Sequence, residues 1–173
     1  MRRYYDHRLK KDIINIDIGE QAITGENVFI GTVLGSCVSA VVFDTEAHIG
    51  GMNHFQMPEP LSTSDIEERA GFYGCNAMPR LLKAMDEADC SRENLRAKIF
   101  GGACRFFCED EPSLSSIGLR NVDYAQSFLE DAGIPIDRIG AGGSYGRRLY
   151  FDVKTFVVYV RRLSEGLGAV PSY

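Results

Sequence analysis

Several features are scarce in this chain, and each scarcity excludes a class of function. None of its 173 residues lies in a run approaching the ~20 apolar positions of a bilayer span, and the N-terminus lacks the roughly 7–15-residue apolar core of a secretory signal. Basic charge is in deficit: 19 Lys and Arg stand against 24 Asp and Glu, giving a net −5 and a pI near 5.2. Nucleic acid is therefore not expected as a partner, because phosphate contacts need a basic footprint. Histidine is rare, with three residues, and the five cysteines contain no closely spaced metal-type pair, so neither a metal nor another cofactor is expected. An odd cysteine count without an export signal reads as reduced thiols in a cytoplasmic protein, with no membrane insertion.

What remains is the composition of an ordinary globular domain, 45% hydrophobic and 25% charged. Residues 1–12 form a basic arm (Arg2, Arg3, Arg8, Lys10, Lys11) with no apolar period, expected to fray. Residues 13–163 read as a single domain and 164–173 as a tail. Strand-like runs cover Ile13–Ile18, Val28–Leu34, Val38–Phe43, Ile49–Phe55, Arg96–Phe100 and Ile134–Ile139. Arg148–Val153 and Phe156–Arg162 then pair as a hairpin after a glycine-dense turn at Gly140–Gly146. Two helices are legible. Met78, Leu81, Leu82 and Met85 form one stripe, which Pro79 opens or kinks, and Val122, Ala125, Leu129 and Ala132 form the other. Asn121 would cap the second helix and Gly133 would stop it. The expected fold is α+β: mixed or antiparallel sheet layers of six or seven strands, flanked by about two main helices.

The candidate chemistry lies between two glycine-bracketed segments, Gly35-Ser36-Cys37 and Gly50-Gly51-Met52-Asn53-His54. If Asp44–Ala47 is a four-residue hairpin loop, Phe43 pairs with His48 and, counting outward, Cys37 faces His54. Facing residues hold their Cβ atoms about 4.5–5.5 Å apart on one sheet face, whereas a one-residue slip would send them to opposite faces. An imidazolium beside a thiol lowers its pKa and yields a nucleophilic thiolate. Gly35 would let the chain turn before Cys37, while Gly50 and Gly51 would leave room for a substrate. Thr32, Ser36, Ser39 and Asn53 are candidates for the group that orients the imidazole, Asn53 suiting supporting or oxyanion work better. The Cys37 N–H, with a neighbour from the Gly35-Ser36 turn, would hold an oxyanion. Cys75, Cys90, Cys104 and Cys108 read as structural thiols, and Arg147 and Arg148 as solvated hairpin ends.

Leu34-Gly35-Ser36-Cys37-Val38 and Gly50-Gly51-Met52-Asn53-His54, with Pro58 shortly after, resemble the signature of the CheD family of chemoreceptor glutamine deamidases. The likeness continues in Lys98–Ala103, Ile117–Val122, Gly142-Gly143 and Gly146-Arg147. It implies a cysteine-hydrolase sandwich of the toxin-domain type. The implied enzyme is a protein-glutamine glutaminase that converts receptor glutamine side chains to glutamate through a Cys–His thioester. The family's catalytic Cys and His fall on Cys37 and His54, and its Thr, a few positions before the Cys, on Thr32. Methyl-accepting chemotaxis receptors would be the substrate and a CheC-type phosphatase a further partner. A non-catalytic adaptor for that phosphatase or for a receptor, and a glutamyl methylesterase, are the alternatives. Phe156 stands where the family often has a turn glycine.

Overall fold

A computed structural model describes residues 1–60, 70–104 and 117–163. The described strands are β1 (Arg2–Asp6), β2 (Lys11–Asn15), β3 (Gln21–Thr24), β4 (Phe29–Leu34), β5 (Val38–Asp44), β6 (Ile49–Asn53), β7 (Leu95–Gly101), β8 (Ile136–Ala141), β9 (Gly146–Asp152) and β10 (Val158–Leu163). Two helices, α1 (Gly74–Glu87) and α2 (Ile117–Asp131), accompany them. The strands form two sheets, ordered β1-β2-β4-β9-β10 and β3-β6-β5-β7-β8. Each sheet mixes antiparallel pairs with one parallel pair, β2–β4 in the first and β7–β8 in the second. This is an α+β sandwich.

Side-chain alternation explains the layering. Along β5, Val38, Ala40 and Val42 join the helix residues Met78, Leu81, Met85, Ala125 and Leu129 in one core. Val41 and Phe43 point the other way, into a second core with Ile30, Leu34, Leu149 and Phe151 of the first sheet. Because β5 is covered on both faces, every residue in it is buried, the polar Ser39 and Asp44 included. The second sheet is thus the middle layer, with Val41, Phe43 and Cys37 on the face it turns toward the first sheet.

Several expectations need correction. The basic arm does not fray along its whole length. Residues 2–6 pair antiparallel with β2 as the edge strand β1, Arg3 Nη2 reaches Asp12 at 2.8 Å, and Lys11 reaches Asp152 at 2.6 Å in a half-buried ion pair. Tertiary pairing supplies what local periodicity does not. Pro79 lies inside α1 on its exposed side, so the helix neither starts nor ends there. Asn121 is not a cap, because α2 begins four residues earlier and Asn121 is buried in its second turn. Gly133 does follow the helix with a left-handed φ of 69°, and the Ile134 N–H closes onto Leu129 O. Phe156 takes a left-handed φ of 58°. Its ring stacks on Phe43 at 4.8 Å, and its carbonyl accepts Lys98 Nζ. Cys108 and the tail 164–173 lie outside the described residues. No described helix is long and apolar enough to cross a membrane.

Candidate functional site

The β5–β6 hairpin sets the site's register, two residues away from the expected one. Asp44, not Phe43, is the last paired residue, opposite Ile49, and the loop is Thr45–His48. The cause is local. The Asp44 carboxylate accepts the N–H groups of Glu46 and Ala47 at 2.8 and 2.9 Å, an Asx turn that makes Asp44 the corner, and His48 closes the loop with φ 55°. Val41 therefore faces Met52, and Val38 bridges Phe55. Cys37 and His54 are diagonal neighbours rather than directly opposed. A two-residue shift preserves alternation, so both stay on the face toward the first sheet.

Thr32, on β4 of the first sheet, reaches His54 across the sandwich. Its Oγ1 lies 2.8 Å from His54 Nδ1 and donates its own proton to Ile16 O at 2.8 Å. A hydroxyl has one proton, and here that proton is committed to the carbonyl. The oxygen must therefore accept from His54, which fixes the Nδ1–H tautomer and leaves the Nε2 lone pair unshared. Nε2 is buried and has no hydrogen-bond partner among the described residues, the Cys37 sulfur included. His54 is only 4% exposed, and this burial pushes its pKa down to about 4. Burial also pushes the half-buried Cys37 thiol upward, with its own N–H opposing weakly. Burial thus disfavours the charged form of both groups, whereas adjacency alone would favour a thiolate beside an imidazolium.

The His54 shift has a consequence for stability. At neutral pH the histidine is uncharged both folded and unfolded. As the pH falls from 6.5 toward 4, the unfolded chain takes up a proton that the folded chain refuses. His54 is expected to lower stability by roughly 3 kcal/mol over that window. Urea midpoints measured from pH 7 to 4 should fall less steeply in His54→Gln than in the wild type.

The turn carrying Cys37 is braced from three directions. Its carbonyls at Gly35 and Cys37 accept the N–H groups of Ala103 (2.8 Å) and Gly102 (2.9 Å). Asn121 Nδ2 donates to Ser36 O at 3.0 Å and to Gln56 O at 2.8 Å, tying the cysteine turn to the chain just beyond His54. Sequence reasoning missed this role, although Asn121 stands in one of the family-like motifs. An interior helical Asn, poor in propensity, is the signal that could have found it. Asn121→Ala strands two carbonyls and is expected to cost about 2 kcal/mol in thermal unfolding, with a changed rate of Cys37 alkylation by iodoacetamide.

The other expected site residues divide. Ser36 is exposed beside Cys37, and neither its N–H nor that of Cys37 donates to a carbonyl among the described residues. Gly35 does not take a left-handed conformation, and a Cβ there would meet nothing within 4 Å, so the turn does not demand glycine. Ser39 faces the sandwich and donates to Asn53 O. Asn53 points to the helices. Its Oδ1 accepts Ala40 N–H at 2.9 Å and its Nδ2 donates to Ala77 O at 3.3 Å, which removes it from the oxyanion side. Gly50 and Gly51 do not make room for a substrate. Phe151 packs onto the first, and Ile23 and Leu81 onto the second. Arg147 is not a solvated hairpin end: it is buried, donating to Gly101 O at 2.6 Å and to Gly142 O. Cys90 is buried, its pKa raised to about 11. Among the described residues, no three His, Cys, Asp or Glu side chains gather as a metal would require.

A comparison with known sequences adds the family. Residues 56–162 match the sequence model described as CheD chemotactic sensory transduction. The chain is 35% identical over 163 residues to the probable chemoreceptor glutamine deamidase CheD of Laribacter hongkongensis, covering 94% of this chain and 78% of that protein. It is 38% identical over 154 residues to the probable chemoreceptor glutamine deamidase CheD 2 of Shewanella oneidensis, covering 87% and 76%. It is 37% identical over 157 residues to the probable chemoreceptor glutamine deamidase CheD 1 of Geobacter sulfurreducens, covering 88% and 78%. With a matching family model over more than half its length and identities above one third over most of both chains, the protein belongs to the CheD family.

Proposed function

We propose that this chain is a protein-glutamine deamidase acting on chemotaxis receptors, with Cys37 as nucleophile, His54 as base and acid, and Thr32 as the group that orients the imidazole. The observation that carries the reading is the Thr32–His54 hydrogen bond. It holds an imidazole whose remaining nitrogen is a free, buried lone pair on the same sheet face as a half-buried thiol.

In the proposed sequence, Cys37 Sγ attacks the carboxamide carbon as its proton passes to His54 Nε2. The carbonyl oxygen becomes an oxyanion beside the N–H groups of Ser36 and Cys37, neither of which donates to a carbonyl among the described residues. The C–N bond breaks as the imidazolium gives its proton to the nitrogen, so ammonia leaves and a thioester remains. His54 then takes a proton from water, which attacks the thioester carbon. The C–S bond breaks, glutamate departs and the thiol is restored. Catalytic contacts that are long in a free enzyme tighten in the Michaelis complex, which accommodates a pair with no hydrogen bond at rest.

The test is incubation with a receptor cytoplasmic fragment. Each modified glutamine should gain about one dalton with one equivalent of ammonia. Methanol from a methylated fragment would point to an esterase instead, and tight binding without either product to an adaptor. The family resemblance adds a CheC-type phosphatase as a partner competing for the same face, in the cytoplasm.

The resting charge state has its own signature. With the thiol pKa raised, iodoacetamide alkylation of Cys37, followed by peptide mass spectrometry, should be slow at pH 7 and still climbing at pH 9. A preformed thiolate–imidazolium pair would instead give a rapid rate that is flat across neutral pH.

A further inference from the structure

The two sheets leave one side of the sandwich open. There β8 and β10, each the last strand of its sheet, border a groove of about 720 Å3. Lys98, Arg138, Arg147 and Arg162 line it, against a single carboxylate, Asp137, which is already paired with Arg96. None of the four cations has an ion-pair partner among the described residues, although the chain as a whole carries −5. Two guanidinium groups lie over the Tyr145 ring, Arg147 at 4.9 Å and Arg162 at 4.3 Å from its centroid. Ile139, Val157 and Val160 add exposed apolar surface along the same edges. The groove also has a direction. Arg147 pairs with Leu34 in the sheet and donates to Gly101 O, and Gly101 is the residue opposite Val38, so one end of the groove adjoins the turn that carries Cys37.

Resting on the deamidase reading, we propose that this groove binds an acidic polypeptide segment of the receptor substrate and leads it toward Cys37. Lys98 and Arg147 already donate to carbonyls, but no carboxylate among the described residues pairs with any of the four cations. Together with Arg138 and Arg162 they select a partner of opposite charge. Two strand edges with no partner strand among the described residues suit a polypeptide, whose main chain can pair with them, better than a compact ion.

The test uses the full chain and a fluorescently labelled poly-L-glutamate peptide, read by anisotropy. Arg138→Glu with Arg162→Glu should weaken binding by roughly tenfold or more. Arg80→Glu with Lys83→Glu, the same charge change on α1, should leave it within about twofold. Loss in both pairs, or in neither, would overturn the proposal, as would displacement of the peptide by inorganic phosphate beyond what sodium chloride achieves at equal ionic strength. With a receptor fragment, the groove pair should raise KM about tenfold and leave kcat and the rate of Cys37 alkylation unchanged; an unchanged KM would sink the substrate assignment. If the wild type releases no ammonia from any receptor fragment, the deamidase reading fails while the poly-L-glutamate measurements still judge the groove.

Discussion

Cys37→Ala is expected to abolish ammonia release from a receptor fragment, lowering the rate by about 10⁴-fold or more, while the chain stays folded. Cys37 sits in a turn outside the strands, and its side chain is half-buried at the edge of the inter-sheet core. Removing the sulfur should therefore cost only about 1 kcal/mol of packing. The chemical cost is far larger, because the covalent route disappears and only the oxyanion donors remain. Cys37→Ser should fare little better, and His54 is the reason. With its pKa near 4, this imidazole is a weak base. It can take a proton from a thiol as the sulfur attacks, but a hydroxyl is several units less acidic and a poorer nucleophile. The variants should be compared by ammonia release and by receptor binding. Retained binding with lost turnover places the defect in chemistry, whereas full ammonia release by Cys37→Ala would end the thioester scheme.

On the proposed route this weak base also has a use when the C–N bond breaks and the thioester forms. An imidazole that stays neutral down to about pH 4 gives up its proton readily once charged, so it is a strong acid toward departing ammonia. Thr32 can hold it in place without making it more basic, since a hydroxyl already donating to Ile16 O offers a lone pair but no negative charge. A carboxylate in that position would raise the histidine's pKa and favour a resting ion pair. The lowered histidine and the raised thiol both follow from burial, and Thr32 adds no charge that would oppose it.

How much of this was legible beforehand follows from the physics of each part. Cys37 and His54 could be paired from sequence because alternation in a strand tolerates even errors: the register was wrong by two residues and the shared face survived. The Asx turn at Asp44 that set the true register depends on one carboxylate's rotamer, which spacing does not encode. Helix α1 was readable from its apolar stripe, and the β9–β10 hairpin from its two flanking runs. Strand β1 was not, because Arg2–Asp6 carries charge where a strand usually carries apolar residues and owes its form to β2 alongside. Asn121 was misread because a short polar residue before an apolar run looks like a cap. Its true position depends on where α2 begins, four residues upstream. Thr32 was one candidate among several from position alone, and only the stacking of the two sheets brings its hydroxyl to His54 Nδ1.

Gly101→Ala is expected to be among the most damaging single methyls in the described residues, lowering stability by about 3–5 kcal/mol and the thermal midpoint by about 10 °C. Two independent costs meet there. Gly101 ends β7 with φ 118°, a conformation that side chains rarely adopt. An added Cβ would also run into the carbonyl oxygen of Cys37, and that atom is backbone, already fixed by the Gly102 N–H at 2.9 Å. It cannot swing aside as a flexible side chain would. Relief requires moving the Gly35–Cys37 turn itself, and with it the sulfur, the N–H groups beside it and the Ser36 carbonyl that Asn121 holds. The substitution should therefore change the alkylation rate of Cys37 at temperatures where the chain is still fully folded. Gly35→Ala, two residues from Cys37 on its other side, is the control: a Cβ there enters open space on backbone outside the left-handed region, so stability should move by no more than about 0.5 kcal/mol. Equal effects from the two substitutions in calorimetry would mean that the turn is not held by the close approach of Gly101.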